Sequence, residues 1–266
     1  MAAISAPALR VTGLAKAFGG VDAVRDVSFT VDAGELVALI GPNGAGKTTC
    51  FNLLNGQMRP DAGTIELIGM RIDGLPARII ARRGVARTFQ VAATFASMTV
   101  RENVQVALLA HAGTQGSVAL RAPAAFGAEA DALLARVGMI KLRNEGCATL
   151  AYGDAKRVEL AVALAAAPRL LLMDEPTAGM SPRSRARLME VAASLAKKER
   201  IAALFTEHDM DMVFGFADRI IVLDRGQIIA DGAPAEIRAN AQVRAVYLGE
   251  EEPLSTDGTN TSKKMY

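Results

Sequence analysis

Residues 41–48 read Gly-Pro-Asn-Gly-Ala-Gly-Lys-Thr, which fills every fixed position of the pattern G-x-x-x-x-G-K-[ST]. These residue types at this spacing hold phosphate. Gly41, Gly44 and Gly46 let successive backbone N–H groups turn toward one anion with no Cβ in the way, while Pro42, Asn43 and Ala45 fill the variable positions. A helix opening at Thr48 and Thr49 adds roughly half a positive charge at its N-terminus. Lys47 supplies a full charge for the β- and γ-phosphates, and the Thr48 hydroxyl is a ligand type for Mg²⁺. The sequence therefore predicts a site for MgATP spanning Gly41 to Thr49. A glycine-rich turn that binds nothing is the plainer alternative, but an apolar strand runs into this loop and a helix leaves it.

A second constellation lies at residues 170–176, Leu-Leu-Leu-Met-Asp-Glu-Pro. Four apolar residues in a row suit a strand buried on both faces, and two carboxylates follow at its exit. In open α/β sheets ligands sit at the carboxyl ends of the strands, so this pair and the phosphate loop are expected at one edge. Asp174 suits the Mg²⁺ shell, and Glu175 is the best-placed group to polarise an attacking water.

Those groups need a scaffold. Val27–Val31 and Glu35–Ile40 read as strands around the Asp32-Ala33-Gly34 turn, and a helix over Thr48–Asn55 stops at Gly56. Thr64–Ile68 reads as a strand, Pro76–Arg83 as a short helix and Val85–Gln90 as a strand. From Thr99 to Val137 the pattern is helical and alanine-rich, as expected of an inserted helical subdomain over about residues 91–153. A helix over Asp154–Ala167 ends at Pro168. Strand and helix then alternate: Leu170–Met173, Pro182–Lys197, Ala202–Phe205, Asp209–Phe216, Arg219–Leu223, and a turn into Gln227–Ala230. That order predicts an α/β fold, a P-loop NTPase core with a mainly parallel sheet, helices on both faces and an N-terminal antiparallel β portion. One ATPase domain is expected over residues 1–250, with a polar, disordered tail over residues 251–266.

Composition removes other classes. The 266 residues carry 30 Lys plus Arg against 28 Asp plus Glu, and a net charge of +2 offers no electrostatic case for a nucleic-acid surface. Cys50 and Cys147 do not make a disulfide framework, which points to a reducing compartment. The longest uncharged stretch, Asn103–Leu120, is broken by His111, two Gln and two Gly, so no bilayer span is expected. The opening residues MAAISAPALR lack the pattern of a signal peptide.

Taken with what surrounds them, these motifs resemble the nucleotide-binding subunit of ABC transporters over roughly Leu9–Gly249. The resemblance implies further roles. Gln90 stands where the family places the glutamine that joins the ATP core to the helical subdomain and touches Mg²⁺ or the attacking water. His208 matches the switch histidine that contacts the γ-phosphate. Phe18 matches the aromatic that stacks on adenine, and Ala178-Gly179-Met180-Ser181-Pro182 occupies the loop that reaches across the dimer. His111 and both cysteines match nothing and read as structural.

The family's signature, Leu-Ser-Gly-Gly-Gln at the start of a helix, is changed here to Leu150-Ala151-Tyr152-Gly153-Asp154. This form resembles the Leu-Ser-Tyr-Gly-Asp of the branched-chain amino-acid importer ATPases, as do Thr206-Glu207-His208-Asp209-Met210 and the ending Val243-Arg244-Ala245-Val246-Tyr247-Leu248-Gly249. Ala151 departs from that subfamily and removes a hydroxyl expected to touch γ-phosphate. The resemblance implies a head-to-tail pair of ATPase subunits, each ATP lying between one phosphate loop and the partner's signature helix. It also implies membrane permease subunits, a substrate-binding protein, and a place on the cytoplasmic face of the membrane. A lipopolysaccharide-extraction exporter is the second reading, disfavoured by the Tyr-Gly-Asp signature. A soluble ATPase acting on DNA or ribosomes is the third; it needs a long coiled-coil insertion or a second ATP domain, and neither appears in these 266 residues.

Overall fold

A strand packed on both faces sends alternate residues to opposite layers. That alternation organises the computed structural model, which describes residues 6–88, 94–113 and 126–247. Along β3 (Leu36–Ile40), Leu36, Ala38 and Ile40 enter one apolar cluster while Val37 and Leu39 enter the other. The same division runs through β7 (Leu170–Asp174), β8 (Ala202–Thr206) and β9 (Arg219–Asp224): Leu171, Met173, Ala203, Phe205, Ile220 and Val222 face one way, and Leu170, Leu172, Ala202, Leu204, Ile221 and Leu223 the other.

With β6 (Val85–Thr88) and β10 (Gln227–Gly232), these strands form a six-stranded sheet in the order β10-β9-β3-β8-β7-β6. Every neighbouring pair is parallel except β9 and β10, which the Asp224-Arg225-Gly226 turn joins as a hairpin. The parallel register brings the carboxyl ends level: Asp174 lies opposite Thr206, and Ile40 opposite Val222. The expected mainly parallel sheet is present, and its carboxyl edge gathers the loops that carry the chemistry.

One face of this sheet is covered by α5 (Tyr152–Leu164), α6 (Pro182–Glu199) and α7 (Met210–Phe216), together with α3 (Val100–Ala112) and α4 (Gly127–Arg136) from the segment between β6 and β7. Val104 and Leu134 of that segment share an apolar cluster with Leu36 and Met173, so the inserted helices and the sheet have a continuous core. The other face meets α1 (Lys47–Leu54), α2 (Ala77–Arg82) and a four-stranded antiparallel sheet. That sheet has the order β2-β1-β4-β5, with β1 at Leu9–Phe18, β2 at Val21–Val31, β4 at Ala62–Leu67 and β5 at Met70–Arg71. Arg219 stitches the two sheets: it binds Glu35 at 2.7 Å, Asp231 at 2.7 Å and the Thr30 carbonyl. Helices do lie on both faces, as expected, but β-structure supplies much of the second layer.

Several elements depart from the sequence reading. β1 and the first half of β2 extend much further toward the N-terminus than Val27. They form a hairpin closed at Phe18 and Val21 by Gly19 and Gly20, both at positive φ, as a two-residue turn between right-twisted strands requires. Helix α5 begins at Tyr152 rather than Asp154, so the signature opens the helix. Beyond β10 the chain adds α8 (Pro234–Ala239) and α9 (Ala241–Tyr247), short helices whose few turns carry little periodic signal. Gln90 and residues 251–266 lie outside the described residues.

Candidate active site

The phosphate loop joins β3 to α1 at the middle of the large sheet. Two of its glycines leave no room for a Cβ. A Cβ on Gly41 would stand 2.2 Å from the Leu223 carbonyl oxygen, and one on Gly46 2.3 Å from that of Ala23. Gly46 caps α1 at φ 104°, and Cys50 N–H is bonded back to the Gly46 carbonyl at 2.9 Å. The amides of Lys47, Thr48 and Thr49 therefore stand in the first turn, where a helix supplies no acceptors of its own. The loop is braced from behind by Gly226 N–H on the Ala45 carbonyl at 3.0 Å. Lys47 Nζ donates to the Gly41 and Pro42 carbonyls at 2.6 and 3.0 Å, which holds the ammonium over the loop. Burial pulls the Lys47 pKa below its ordinary value, against the opposing pull of Glu175 and Asp174.

A cleft of about 340 Å³ opens over this loop, lined by Phe18, Asn43 to Thr49, Glu175 and His208, with Ala23 at its wall. Phe18 comes from the end of β1 and is 45% exposed, with Lys16 Nζ 5.6 Å from its ring centroid. Glu175 leaves β7 at φ 45°, and its Oε1 lies 3.0 Å from His208 Nε2 at the exit of β8. Asp174 is held on both sides. Its Oδ1 accepts from the Thr206 hydroxyl at 2.8 Å and its Oδ2 from Arg87 at 2.7 Å. Arg87 reaches on to Asn52 of α1 at 2.6 Å, which ties the β7 carboxylate to the phosphate-loop helix.

Of the sequence-chosen residues, Phe18, Asn43 to Thr49, Glu175 and His208 line the cleft, while Gly41 and Pro42 at the start of the loop and Asp174 at the exit of β7 stand beside it without lining it. Gln90 falls outside the described residues. Leu150, Ala151, Tyr152, Gly153 and Asp154 do not line the cleft; they lead into and open α5, where a Cβ on Gly153 would stand 3.0 Å from Ser184 of α6 and 3.2 Å from Met180 just before it. Ala151 is the N-cap of α5 and offers no side-chain acceptor to the first turn. Cys50 and Cys147 are buried free thiols, and burial lifts Cys50 to about 12, as expected of inert core residues. His111 is exposed in the last turn of α3 rather than part of the core.

Sequence reasoning missed Arg87, Thr206 and Glu207. Glu207 is 4% exposed; it accepts from the Thr177 hydroxyl and amide at 2.6 and 2.9 Å and from His208 N–H at 3.2 Å, joining the loop after Glu175 to the one that carries His208. The signal available for all three was a polar residue inside or beside a predicted buried strand. Apart from the adjacent His208, their partners lie at least 30 residues away along the chain, so spacing could not name them.

As a chemical device, the cleft offers backbone amides, a helix start and an ammonium for phosphates, and a carboxylate–imidazole pair beside them for a water. Among the described residues no group of three or more His, Cys, Asp or Glu could hold a metal by protein ligands alone. Oxygen donors are present in Thr48 and Asp174, a set that suits Mg²⁺, which keeps water and phosphate ligands.

Similarity to known proteins agrees with this geometry. The family model described as ABC transporter matches residues 24–178, and that of the branched-chain amino acid ATP-binding cassette transporter matches residues 227–253. The chain is 44% identical over 254 residues to the high-affinity branched-chain amino acid transport ATP-binding protein LivG of Salmonella typhimurium, covering 93% of this chain and 100% of LivG. Its counterpart BraF of Pseudomonas aeruginosa is 41% identical over the same coverage. The lipopolysaccharide export system ATP-binding protein LptB of Haemophilus influenzae is 35% identical over 246 residues, 92% of this chain and 99% of LptB. A crystal structure of the ADP conformation of an ABC transporter's ATP-binding cassette superposes with a TM-score of 0.79 at 28% identity, covering 92% of this chain and 99% of that one. The chain therefore belongs to the ABC transporter family, as one of its ATP-hydrolysing subunits.

Proposed function

We propose that this chain is the motor of a membrane importer for branched-chain or related amino acids, working at the cytoplasmic face through permease subunits and with a substrate-binding protein outside. The observation that carries the import reading is the match of residues 227–253 to the branched-chain amino acid model, because this region lies beyond the general ABC core. The 44% identity to LivG against 35% to LptB supports import over lipopolysaccharide export.

The chain's own residues divide the work. Gly41 to Thr49 bind the β- and γ-phosphates through amides and Lys47, and Phe18 stacks on adenine. Thr48 and Asp174, with Gln90, would hold Mg²⁺, which when bound neutralises phosphate charge. Glu175 polarises the attacking water, and His208, 3.0 Å from its Oε1, fixes its direction and faces the γ-phosphate. The signature residues Leu150–Asp154 stand away from their own chain's cleft, which suits service to a partner's ATP in a head-to-tail dimer. ATP then joins the two subunits and hydrolysis releases them, a two-state equilibrium driven by differential binding. The permease subunits dock in the groove between the ATP core and the inserted helical subdomain, about residues 91–153.

Glu175→Gln in the assembled transporter is expected to retain ATP and lose about 10² to 10⁴ in hydrolysis rate, with uptake of radiolabelled leucine lost in parallel. Phosphate release near the wild-type rate would remove Glu175 as the base. Leucine uptake unchanged by the loss of hydrolysis would remove the import reading.

A further inference from the structure

Thr206 ends β8 with 1% of its surface exposed, and its hydroxyl makes two hydrogen bonds, both to the carboxylate pair. It donates to Asp174 Oδ1 at 2.8 Å and accepts from the Glu175 backbone N–H at 3.0 Å. Each bond orients the other: the proton given to Asp174 turns the oxygen's lone pairs toward the amide.

Glu175 needs such a partner. Its φ of 45° lies in the left-handed region, which a residue with a Cβ enters only when its surroundings hold it there. That backbone turn carries the side chain from the line of β7 toward His208, 3.0 Å away. The amide that precedes this turn is anchored on the Thr206 hydroxyl oxygen. Every other residue of β8, Ala202 to Phe205, is apolar and buried. Valine would fill the Thr206 position with nearly the same shape and the same preference for a strand. The hydroxyl is therefore what this position adds, and its partners are the two acids.

We infer that Thr206 is a positioning residue for ATP hydrolysis. Through one hydroxyl it aims the Asp174 carboxylate, which Arg87 holds from the opposite side at 2.7 Å, and keeps Glu175 in the backbone conformation that presents its carboxylate to the cleft. Thr206 does not line the cleft, so it acts through these two residues and not on nucleotide or water. The inference rests on the reading of Glu175 as the group that polarises water.

The test uses the full chain assembled with its membrane subunits. Steady-state turnover, KM for ATP, equilibrium ATP binding and the thermal midpoint are compared for wild type, Thr206→Val, Thr206→Ser and Glu175→Gln. Thr206→Val is expected to lower kcat about tenfold to hundredfold, the rate equivalent of losing a hydrogen bond to a charged group. ATP affinity should stay within about threefold, because the phosphate loop is untouched, and Thr206→Ser should return kcat to within about threefold of wild type. Should Thr206→Val not fold, Thr206→Ala against Thr206→Ser makes the same comparison, since both lose the methyl group and differ in the hydroxyl alone. Turnover of the hydroxyl-free variant within about twofold of wild type, a parallel loss of affinity and kcat, or no rescue by serine would each overturn the positioning role. Glu175→Gln hydrolysing at the wild-type rate would remove the underlying reading and the inference together; Glu175→Gln inactive beside a fully active Thr206→Val would remove the inference alone.

Discussion

Arg87 and Asp174 meet at 2.7 Å with side chains only 11% and 17% exposed, so neither charge is well solvated without the other. Arg87 also lies 5.8 Å from the Phe51 ring and bonds to Asn52, both on α1. Arg87→Met keeps the apolar stem over Phe51 and strands the Asp174 carboxylate, with the Thr206 hydroxyl as its remaining partner. Denaturant unfolding is expected to show a loss of about 3 kcal/mol. A midpoint equal to wild type would mean that water reaches Asp174 freely. Glu175 shows the same economy at residue scale: its left-handed backbone is tolerated because the surrounding carboxylate, hydroxyl and imidazole groups satisfy one another.

Helix α5 opens on the signature residues, and its first turn has no side-chain cap. Ala151 occupies the N-cap at φ −60° and ψ 146°, the extended geometry in which serine or threonine would accept from the first-turn amides. Asp154 in that turn pairs with Arg157 and lends favourable charge, but no side chain caps. Ala151→Ser is thus expected to act twice. It should raise unfolding stability by about 1 kcal/mol through the cap. On the proposed head-to-tail arrangement, in which this position serves the γ-phosphate bound by the partner, it should also strengthen ATP-driven closure about tenfold to hundredfold at the partner subunit's site. In a pair with a different chain carrying serine, the gain falls on the partner's site alone; in a homodimer it falls on both. A rise in melting temperature with closure and turnover unchanged would reduce Ala151 to a matter of helix capping.

At the scale of the whole molecule, the segment before α3 presents an apolar ring to the outside. Phe95 is 55% exposed, while its backbone is fixed through both N–H and C=O by the side chain of Asn103, itself 3% exposed. A rigidly held backbone under an exposed aromatic suits a docking point for the permease. Cysteine at position 95 or 98 is expected to cross-link to the membrane subunits in the assembled transporter; no adduct from either position would place docking elsewhere. The phosphate loop and the acidic strand exit were legible in the sequence because their chemistry depends on local order: glycines, lysine and threonine within eight positions, and a short apolar run ending in two acids. The parallel sheet was legible from strand–helix alternation, since each buried strand advertises itself by an unbroken apolar run. Tertiary structure alone decided what completes the site. The register of β7 against β8 sets Thr206 opposite Asp174, and that of β6 against β7 brings Arg87 to the same carboxylate. Such pairs are distant in sequence and meet only after strands align, so no local pattern encodes them. Likewise, the signature helix is recognisable by its residues, but its separation from its own chain's cleft follows from where α5 packs.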